Sequence, residues 1–199
     1  MIFKEAIRSF LTLFFRFFHG KKGAELKKFK SRACCEPGLE RYLKAFQKPD
    51  IKQEFSLKDF SLYYSYGLGD QNGFYGIYTD AKFTFVLTYE KGTKSRSSAI
   101  ACIGFDVIDE STILVKQIQG VSGKLSILQC FRWEKMLLNI VIDWAKNAGF
   151  KKVKVIRAES SQWYRPHRAQ NLFMKYDVTA RRSGFKFDKK DQTYVRILS

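Results

Sequence analysis

The sequence predicts an α/β (α+β) protein built on a mixed, mainly antiparallel sheet flanked by helices, with an amphipathic helix at the N-terminus. Apolar residues recur every three to four positions near the N-terminus and again between Leu128 and Ala148, which is the period of an amphipathic helix. Between about residues 58 and 119 that period falls to two, as in strands. A strand–helix–strand succession follows, and such a crossover adds a parallel pair to a sheet.

The chain length bounds the number of domains. With 199 residues, one domain plus an extension is favoured. The hydrophobic share of 45%, with 19 Phe residues, is enough for a core. We therefore expect a basic N-terminal amphipathic helix and connector over residues 1–32 and a single α/β domain over residues 33–199.

The N-terminal helix has its apolar residues on one side. They are Phe3, Ala6, Ile7, Phe10, Leu11, Phe14, Phe17 and Phe18. The segment is too short and too charged to span a bilayer, which takes about 20 apolar residues, and Arg16 interrupts the apolar run that a secretory signal needs. Two interpretations stay open: residues 2–18 contact a membrane surface, or this helix packs on the domain. Residues 20–32, rich in Gly and Lys, are predicted to be a connector.

The remaining elements follow from period and turn residues. Helices are predicted at 39–46, at 128–148, which is the longest, and at 169–182, broken near Asp177. Strands are predicted at 83–89, 101–107, 113–119, 153–158, 185–188 and 193–198. Asn72-Gly73, Lys91-Gly92 and Asp109-Glu110 supply turns between strands. The strands before residue 120 thus form an antiparallel meander.

The net charge of +17 is concentrated at the two ends of the chain. Residues 1–32 carry nine Lys/Arg and two acids, and residues 151–199 carry thirteen and four. If the ends meet, their surface suits nucleic acid, anionic lipid or a polyanionic cofactor. A scattered, solvated charge distribution is the alternative.

The cysteines and histidines point to a compartment rather than to a site. Cys34, Cys35, Cys102 and Cys130 show no disulfide spacing, which favours a reducing, cytoplasmic environment. Membrane association of that cytoplasmic protein stays open. Two histidines and no CxxC or HxxxH spacing give no reason to expect a metal.

The element order from about residue 75 to the C-terminus resembles the GNAT superfamily of acyl-CoA-dependent N-acyltransferases. The ending Ala180-Arg181-Arg182-Ser183-Gly184-Phe185, followed by a strand and a final hairpin, is similar to the close of that family. The resemblance implies acetyl-CoA or another acyl-CoA as cofactor. It also implies an open splay between the strands at 112–119 and 152–158, where the family holds that cofactor.

A second motif supports the resemblance. The family carries Q/R-x-x-G-x-G/A before its long helix, and residues 117–125 here read QIQGVSGKL. Main-chain N–H groups at such a turn favour an anion, and glycine lets the backbone approach it. The resemblance assigns the pyrophosphate to Gln117, Gln119, Gly120, Ser122, Gly123 and Lys124. A plain turn is the alternative.

The catalytic side departs from the family. Many members place a tyrosine, as general acid, where this chain has Ala180. Tyr176 lies one helical turn earlier and is the candidate catalytic residue; its alternative role is a core aromatic. Asp106, Glu110 and Glu134 are candidate bases by position.

One loop mixes aromatic and basic residues. Trp163, Tyr164, Arg165 and Arg168 follow a strand's C-terminal end, where open α/β sheets bind ligands. Such mixtures suit nucleic-acid bases or an acceptor; a loop pinned to the domain is the alternative. The leading hypothesis is an acyl-CoA-dependent N-acyltransferase-like protein. The sequence identifies no acceptor substrate, and it does not decide whether catalysis is retained. The alternative is a non-catalytic GNAT-like scaffold that binds nucleic acid through its basic surface.

Overall fold

The computed structural model describes residues 20–31, 34, 38–49, 55–70, 74–90 and 98–199, without the side chains of Asp70 and Arg168. The helix predicted over residues 3–18, and the membrane contact predicted for 2–18, lie outside the described residues. Among the described residues, no helix is long and apolar enough to cross a membrane.

From residue 83 onward, the described helices and strands follow the predicted order. The helices are α1 Lys21–Ser31, α2 Leu39–Phe46, α3 Leu125–Leu128, α4 Trp133–Ala148, α5 Ala169–Phe173 and α6 Thr179–Arg182, with a wide π-turn at Met174–Val178 between the last two. The strands are β1 Phe60–Tyr66, β2 Gly69–Asp70, β3 Tyr78–Thr79, β4 Phe83–Tyr89, β5 Ala99–Val107, β6 Thr112–Gly120, β7 Lys152–Ile156, β8 Lys186–Asp188 and β9 Thr193–Ile197.

Within the described residues, a seven-stranded sheet has the order β1-β4-β5-β6-β7-β9-β8. The β6–β7 pair is parallel, and its neighbours in the sheet pair antiparallel. This confirms the predicted mixed, mainly antiparallel sheet flanked by helices. The meander lies where the sequence has a period of two, and the crossover helix lies where the sequence has a helical period.

Alternate strand residues divide the apolar side chains between the two faces of the sheet. On one face, Phe85 and Leu87 pack with α1, α2 and α4 in the large core. On the other face, Val86 and Cys102 pack with Phe74 and Ile77 of the β1–β4 connection, residues 67–82. One face of the sheet therefore carries α1, α2 and α4, and the other face carries this connection.

Residues 20–32 are not a connector, as the sequence suggested, since most of them form α1. Leu26 is 3% exposed and Phe29 is fully buried. The Phe29 ring has five aromatic neighbours at centroid distances of 4.7 to 5.6 Å: Tyr64, Phe83, Phe85, Phe105 and Trp144. Burying one such side chain contributes about 1.5–3 kcal/mol. The prediction failed because the buried stripe of α1 is narrow and lies among lysines.

The long helix begins at Trp133 rather than at the predicted Leu128. Residues 129–132 instead bond to the chain that leaves α2. The N–H of Arg132 donates to the Phe46 carbonyl (2.9 Å), and the N–H of Lys48 donates to the Cys130 carbonyl (2.9 Å). These bonds take main-chain groups that a continuous helix would use, so the short α3 is separated from α4 by a bend.

Candidate cofactor and acceptor site

The parallel strands β6 and β7 separate partway along their length. Their pairing runs from Thr112 with Lys152 to Val115 with Val155. Beyond that point β6 continues to Gly120, whereas β7 ends at Ile156 and turns away. We call this separation the strand split; it opens main-chain groups of β6 that a neighbouring strand would otherwise bond.

The Tyr176 hydroxyl forms hydrogen bonds with those main-chain groups of β6. It accepts a hydrogen bond from the N–H of Ile118 (3.2 Å) and donates to the carbonyl of Lys116 (3.2 Å). The side chain is 1% exposed, and burial raises the pKa of Tyr176 to about 12. The hydroxyl thus holds its proton at neutral pH and fills the place of a missing strand partner.

The π-turn places two consecutive residues in the interior. Because the helix widens at Met174–Val178, both Tyr176 and Asp177 are 1% exposed. This is the interruption that the sequence predicted near Asp177. Ala180, at the family's tyrosine position, is fully buried one turn later.

Asp177 fixes this helix to the sheet. Its Oδ1 accepts from the Tyr194 hydroxyl (3.0 Å) and its Oδ2 from the N–H of Ala158 (2.9 Å). The Nε of Arg157 lies 4.0 Å from Oδ1. A buried carboxylate needs such partners, and here they tie the helix to β9 and to the chain that follows β7.

The predicted cofactor residues 117–124 divide into two groups, one in the last part of β6 and one in the turn after it. Gln117 Nε2 donates to the carbonyl of Tyr78 (2.6 Å), and Gln119 Nε2 donates to that of Gly76 (3.0 Å). These two side chains therefore hold the β1–β4 connection. The other predicted cofactor residues form the turn itself: Ser122, Gly123 and Lys124 are exposed, and Gly123 has φ +78°.

Gly120 lies where the turn meets the helices. A Cβ at this position would be 3.1 Å from Leu128 Cδ1 and 3.4 Å from Trp133 Cζ2. A larger residue would push the turn away from α3 and α4. Glycine therefore sets the close approach of the turn to the start of α4.

A cleft of ≈ 690 Å³ lies at the start of α4. Its walls come from α3, the first turn of α4, and the helix that carries Tyr176. Four basic residues, Lys48, Arg132, Lys135 and Arg182, line it together with one acid, Glu134. We call it the basic cleft. Desolvation raises the pKa of the Glu134 carboxyl.

The other two candidate bases are placed differently. Asp106 accepts from the N–H of Lys82 (2.8 Å) and from Lys116 Nζ (3.3 Å). Glu110 lies in the exposed turn before β6, where its carbonyl accepts from Lys22 Nζ (2.6 Å). The structure thus brings Glu134 to the basic cleft and leaves Asp106 and Glu110 apart from it.

A carboxylate that sequence reasoning missed lies beside the strand split. Asp80 lies near the end of the β1–β4 connection, and its Oδ2 accepts from Gln162 Nε2 (3.0 Å). Its Oδ1 is buried and accepts no hydrogen bond from the described residues. Burial raises the pKa of the Asp80 carboxyl. Only the tertiary fold brings Asp80 and Gln162 together, so no spacing in the sequence marks them.

The loop with Trp163 contacts the same connection. The Trp163 ring, 48% exposed, meets the Tyr78 ring edge to face at a centroid distance of 5.9 Å. Arg165 Nη1 donates to the carbonyls of Gln162 (3.3 Å) and Tyr164 (2.7 Å). Tyr164 is half-buried, and the side chain of Arg168 is not described. In the described part of the chain, no group of three or more His, Cys, Asp or Glu side chains is placed to hold a metal ion.

No protein-family model matches the sequence, and no curated protein matches it. Solved structures are similar at low identity. A GNAT family N-acetyltransferase (YhbS) from Escherichia coli in complex with CoA is 14% identical, with a TM-score of 0.36, over 59% of this chain and 59% of that chain. N-acetylglutamate synthase from Neisseria gonorrhoeae, complexed with CoA and L-arginine, is 14% identical, with a TM-score of 0.37, over 83% and 32%. A domain from Methanocaldococcus jannaschii is 13% identical, with a TM-score of 0.38, over 84% and 96%.

The chain spans 59% of the Escherichia coli protein and 32% of the Neisseria gonorrhoeae protein. At these TM-scores the overlaps assign no function. The class of fold rests on the strand order, with one split parallel pair among the described strands. That arrangement is GNAT-like, as the sequence resemblance implied.

Proposed function

We propose that this is an acyl-CoA-dependent N-acyltransferase-like protein that holds the phosphates of its cofactor in the basic cleft. The observation that carries the proposal is the cleft itself: ≈ 690 Å³ lined by four basic side chains, at the start of α4 and beside the strand split. In this proposal the phosphates of the cofactor lie in the basic cleft and its acyl end lies in the strand split.

The chemistry of the cleft fits a phosphate ligand. The first N–H groups of a helix have no partner within it, and the helix dipole favours an anion there. The helix α4 has 16 residues, and Arg132 and Lys135 flank its first turn. Among the described residues, no main-chain carbonyl accepts from the N–H groups of Ser122 and Gly123. We propose that these groups, with Gly120 and Lys124, approach the pyrophosphate.

Acyl transfer would depend mainly on how the protein positions the acceptor amine against the thioester of the cofactor. Holding an amine against a thioester supplies much of the rate of an acyl transfer without a dedicated acid. Tyr176 is the candidate donor to the leaving sulfur. Its hydroxyl now donates to the Lys116 carbonyl, so protonating the sulfur requires that bond to be exchanged.

Calorimetry on the full chain tests the proposal. CoA, acetyl-CoA and a longer acyl-CoA are titrated, with pantetheine as the control that lacks every phosphate. We expect the three CoA compounds to bind and pantetheine to bind at least tenfold more weakly. An absence of CoA binding at millimolar ligand would overturn the proposal.

Nucleic-acid binding is the second candidate function. It is favoured by the net charge of +17 and by the exposed ring of Trp163, because bases stack on aromatic faces beside basic groups. Binding of a single-stranded oligonucleotide should then fall steeply with salt, since counterions are released. A flat salt response would exclude this function.

Contact with an anionic membrane through residues 2–18 stays a further proposal, for a cytoplasmic protein. Its support is the apolar side of that segment, next to the lysines of α1. A Phe10→Glu/Phe14→Glu double variant should lose flotation with anionic vesicles that the full parent chain shows. Equal flotation of both proteins would contradict it.

A further inference from the structure

We propose that Tyr78, Asp80 and Trp163 form a binding site for a compact organic cation, and that the acceptor is an aliphatic amine carrying a second, charged amino group. The acceptor role rests on the proposed function, whereas cation binding at these residues does not. We call the three residues the aromatic corner.

The two rings are placed as the walls of a corner. The planes of Tyr78 and Trp163 are 85° apart, with their centroids 5.9 Å from each other. Both side chains are about half exposed, at 51% and 48%. A cation is attracted to an aromatic ring within about 6 Å of its centroid, so one small cation between the two rings satisfies both.

A carboxylate lies beside the rings. Asp80 is two residues from Tyr78 in the chain, and its Oδ2 bonds to Gln162, the neighbour of Trp163. Its Oδ1 is buried without a hydrogen-bond donor among the described residues. A carboxylate beside two rings is a combination that favours an ammonium group over a neutral one.

The nearest fixed positive charge, Lys116, bonds to groups other than the Asp80 carboxylate. Lys116 Nζ donates to the main-chain carbonyl of Asp80 (2.9 Å) and pairs with Asp106 (3.3 Å). Arg165, the other nearby base, donates to two carbonyls of its own loop. Among the described residues no ion pair joins the Asp80 carboxylate to either side chain, although the charge of Lys116 partly offsets the rise that burial causes in the pKa of that carboxyl.

The aromatic corner lies at the mouth of the strand split. The N–H of Asp80 donates to Gln117 Oε1 (3.3 Å), and its carbonyl accepts from Lys116. These two residues directly follow Val115, the last β6 residue paired with β7. A diamine held at the corner by one ammonium group can thus direct its other nitrogen toward the split.

The transfer step is balanced with the acyl-CoA of the proposed function. The free, deprotonated nitrogen of the ligand forms a C–N bond with the thioester carbon, and the C–S bond breaks. The nitrogen loses one proton and the leaving thiolate gains one through solvent, which gives an amide and the CoA thiol. The ammonium in the corner takes no part in the bond changes.

The geometry favours a cation over a nucleic-acid base. A flat base stacks parallel to a single ring, whereas the second ring here stands 85° away and would meet the edge of such a base. A compact ammonium group has no such orientation requirement.

Tryptophan fluorescence of the full chain provides the test. Trp133 and Trp144 are 6% and 7% exposed, so added ligand reports chiefly on Trp163. The probe is 1,4-diaminobutane, and 1,4-butanediol is the uncharged control of the same length. We expect a saturable change with the diamine and none with the diol.

Variants assign the change to the corner. Asp80→Asn, which keeps the size of the side chain, should weaken diamine binding at least tenfold, measured by calorimetry. Trp163→Ala should weaken it to a similar extent. Tyr75→Ala removes a 74%-exposed tyrosine of the same connection that is outside the corner, and binding should stay within twofold of the parent.

The outcomes separate this inference from the proposed function. Equal responses to diamine and diol, or an Asp80→Asn variant that binds like the parent, would overturn the inference. A fluorescence change with an oligonucleotide and none with the diamine would also overturn it. If CoA binds and the diamine does not, only the aromatic corner is wrong; if the diamine binds and CoA does not, the corner stands and the proposed function fails.

Discussion

The basic cleft and the strand split share the helix that carries Tyr176, yet their interiors are built in opposite ways. The cleft is open and lined by Lys48, Arg132, Lys135 and Arg182. In the split, the Tyr176 hydroxyl bonds to the main chain of β6 and is almost completely buried. The cleft presents four basic side chains and one acid at an open surface, whereas in the split the Tyr176 hydroxyl has its hydrogen-bond partners within the protein.

This difference separates binding from chemistry. Basic side chains at a helix start hold phosphates regardless of what reaction follows. Acyl transfer, in contrast, needs room for a thioester beside β6, where Tyr176 now lies. The cleft therefore supports cofactor binding more directly than the split supports catalysis, and each of the following experiments acts on one region.

The largest effect is expected from Asp177→Ala, which would lower the free energy of unfolding by disrupting the buried contacts beside the strand split. It leaves the Tyr194 hydroxyl and the Ala158 N–H without their buried acceptor. Removing one partner of a buried charged network costs about 3–5 kcal/mol. Urea unfolding should show that loss. Asp191→Ala, at a 40%-exposed ion pair with Lys154, is the control and should cost under about 1 kcal/mol.

Cofactor binding in the basic cleft is tested by the double variant Arg132→Ala/Arg182→Ala. Charge-assisted hydrogen bonds contribute about 1.5–3 kcal/mol each, so losing two of them should lower CoA affinity by more than about 100-fold, measured by calorimetry. Lys151→Ala, an exposed base before β7 and outside the cleft, should leave CoA affinity unchanged. Equal losses in both proteins would show a general charge effect instead of a site.

Tyr176→Phe distinguishes the two roles of that residue. The ring still fills its space, but the Ile118 N–H and the Lys116 carbonyl lose their partner. Leaving buried polar groups unpaired costs about 1–3 kcal/mol, which urea unfolding measures. If Tyr176 is also the proton donor, kcat with an acyl-CoA falls while KM does not. An unchanged kcat would leave it a purely structural residue.

The smallest effect is a dependence of stability on alkaline pH. Burial raises the pKa of Tyr176 to about 12, and burial with a hydrogen bond to Asp143 raises that of Tyr42 to about 12. Unfolded tyrosines titrate near pH 10. The folded protein holds these protons more tightly, so their contribution is complete below about pH 10 and is lost as the pH rises toward 12.

Thermal unfolding between pH 9 and 12 measures that dependence. The midpoint should fall across the range, and the Tyr176→Phe protein should show a shallower fall than the parent because one of the two shifted groups is absent. Parallel curves for the two proteins would contradict the shifted pKa of Tyr176.

The sequence predicted the sheet because strand periodicity is a local property. Alternation in residues 83–89 predicts a strand whichever strands adjoin it. The helix α1 escaped because the residues that bury it, Leu26 and Phe29, are three apart among charged neighbours. The start of α4 was misplaced because bonds from the end of α2 decide it, and those are visible only in the folded chain.

The site was less predictable than the fold. The turn at 117–124 carries a motif, so its glycines were found. The basic cleft draws Lys48, Arg132 and Arg182 from three separate parts of the sequence, and no spacing relates them. Asp80 and Trp163 are likewise brought together by folding alone, through the bond between Asp80 and Gln162.

The π-turn at Met174–Val178 has a consequence for how the gene can change. Such a turn contains one more residue than a regular helical turn, and each residue advances a helix by about 100°. Deleting one residue between Met174 and Val178 would restore a regular helix and rotate the preceding segment relative to α6. Tyr176 and Asp177 could then no longer both point inward. In this segment a one-residue deletion would therefore be more damaging than most single substitutions.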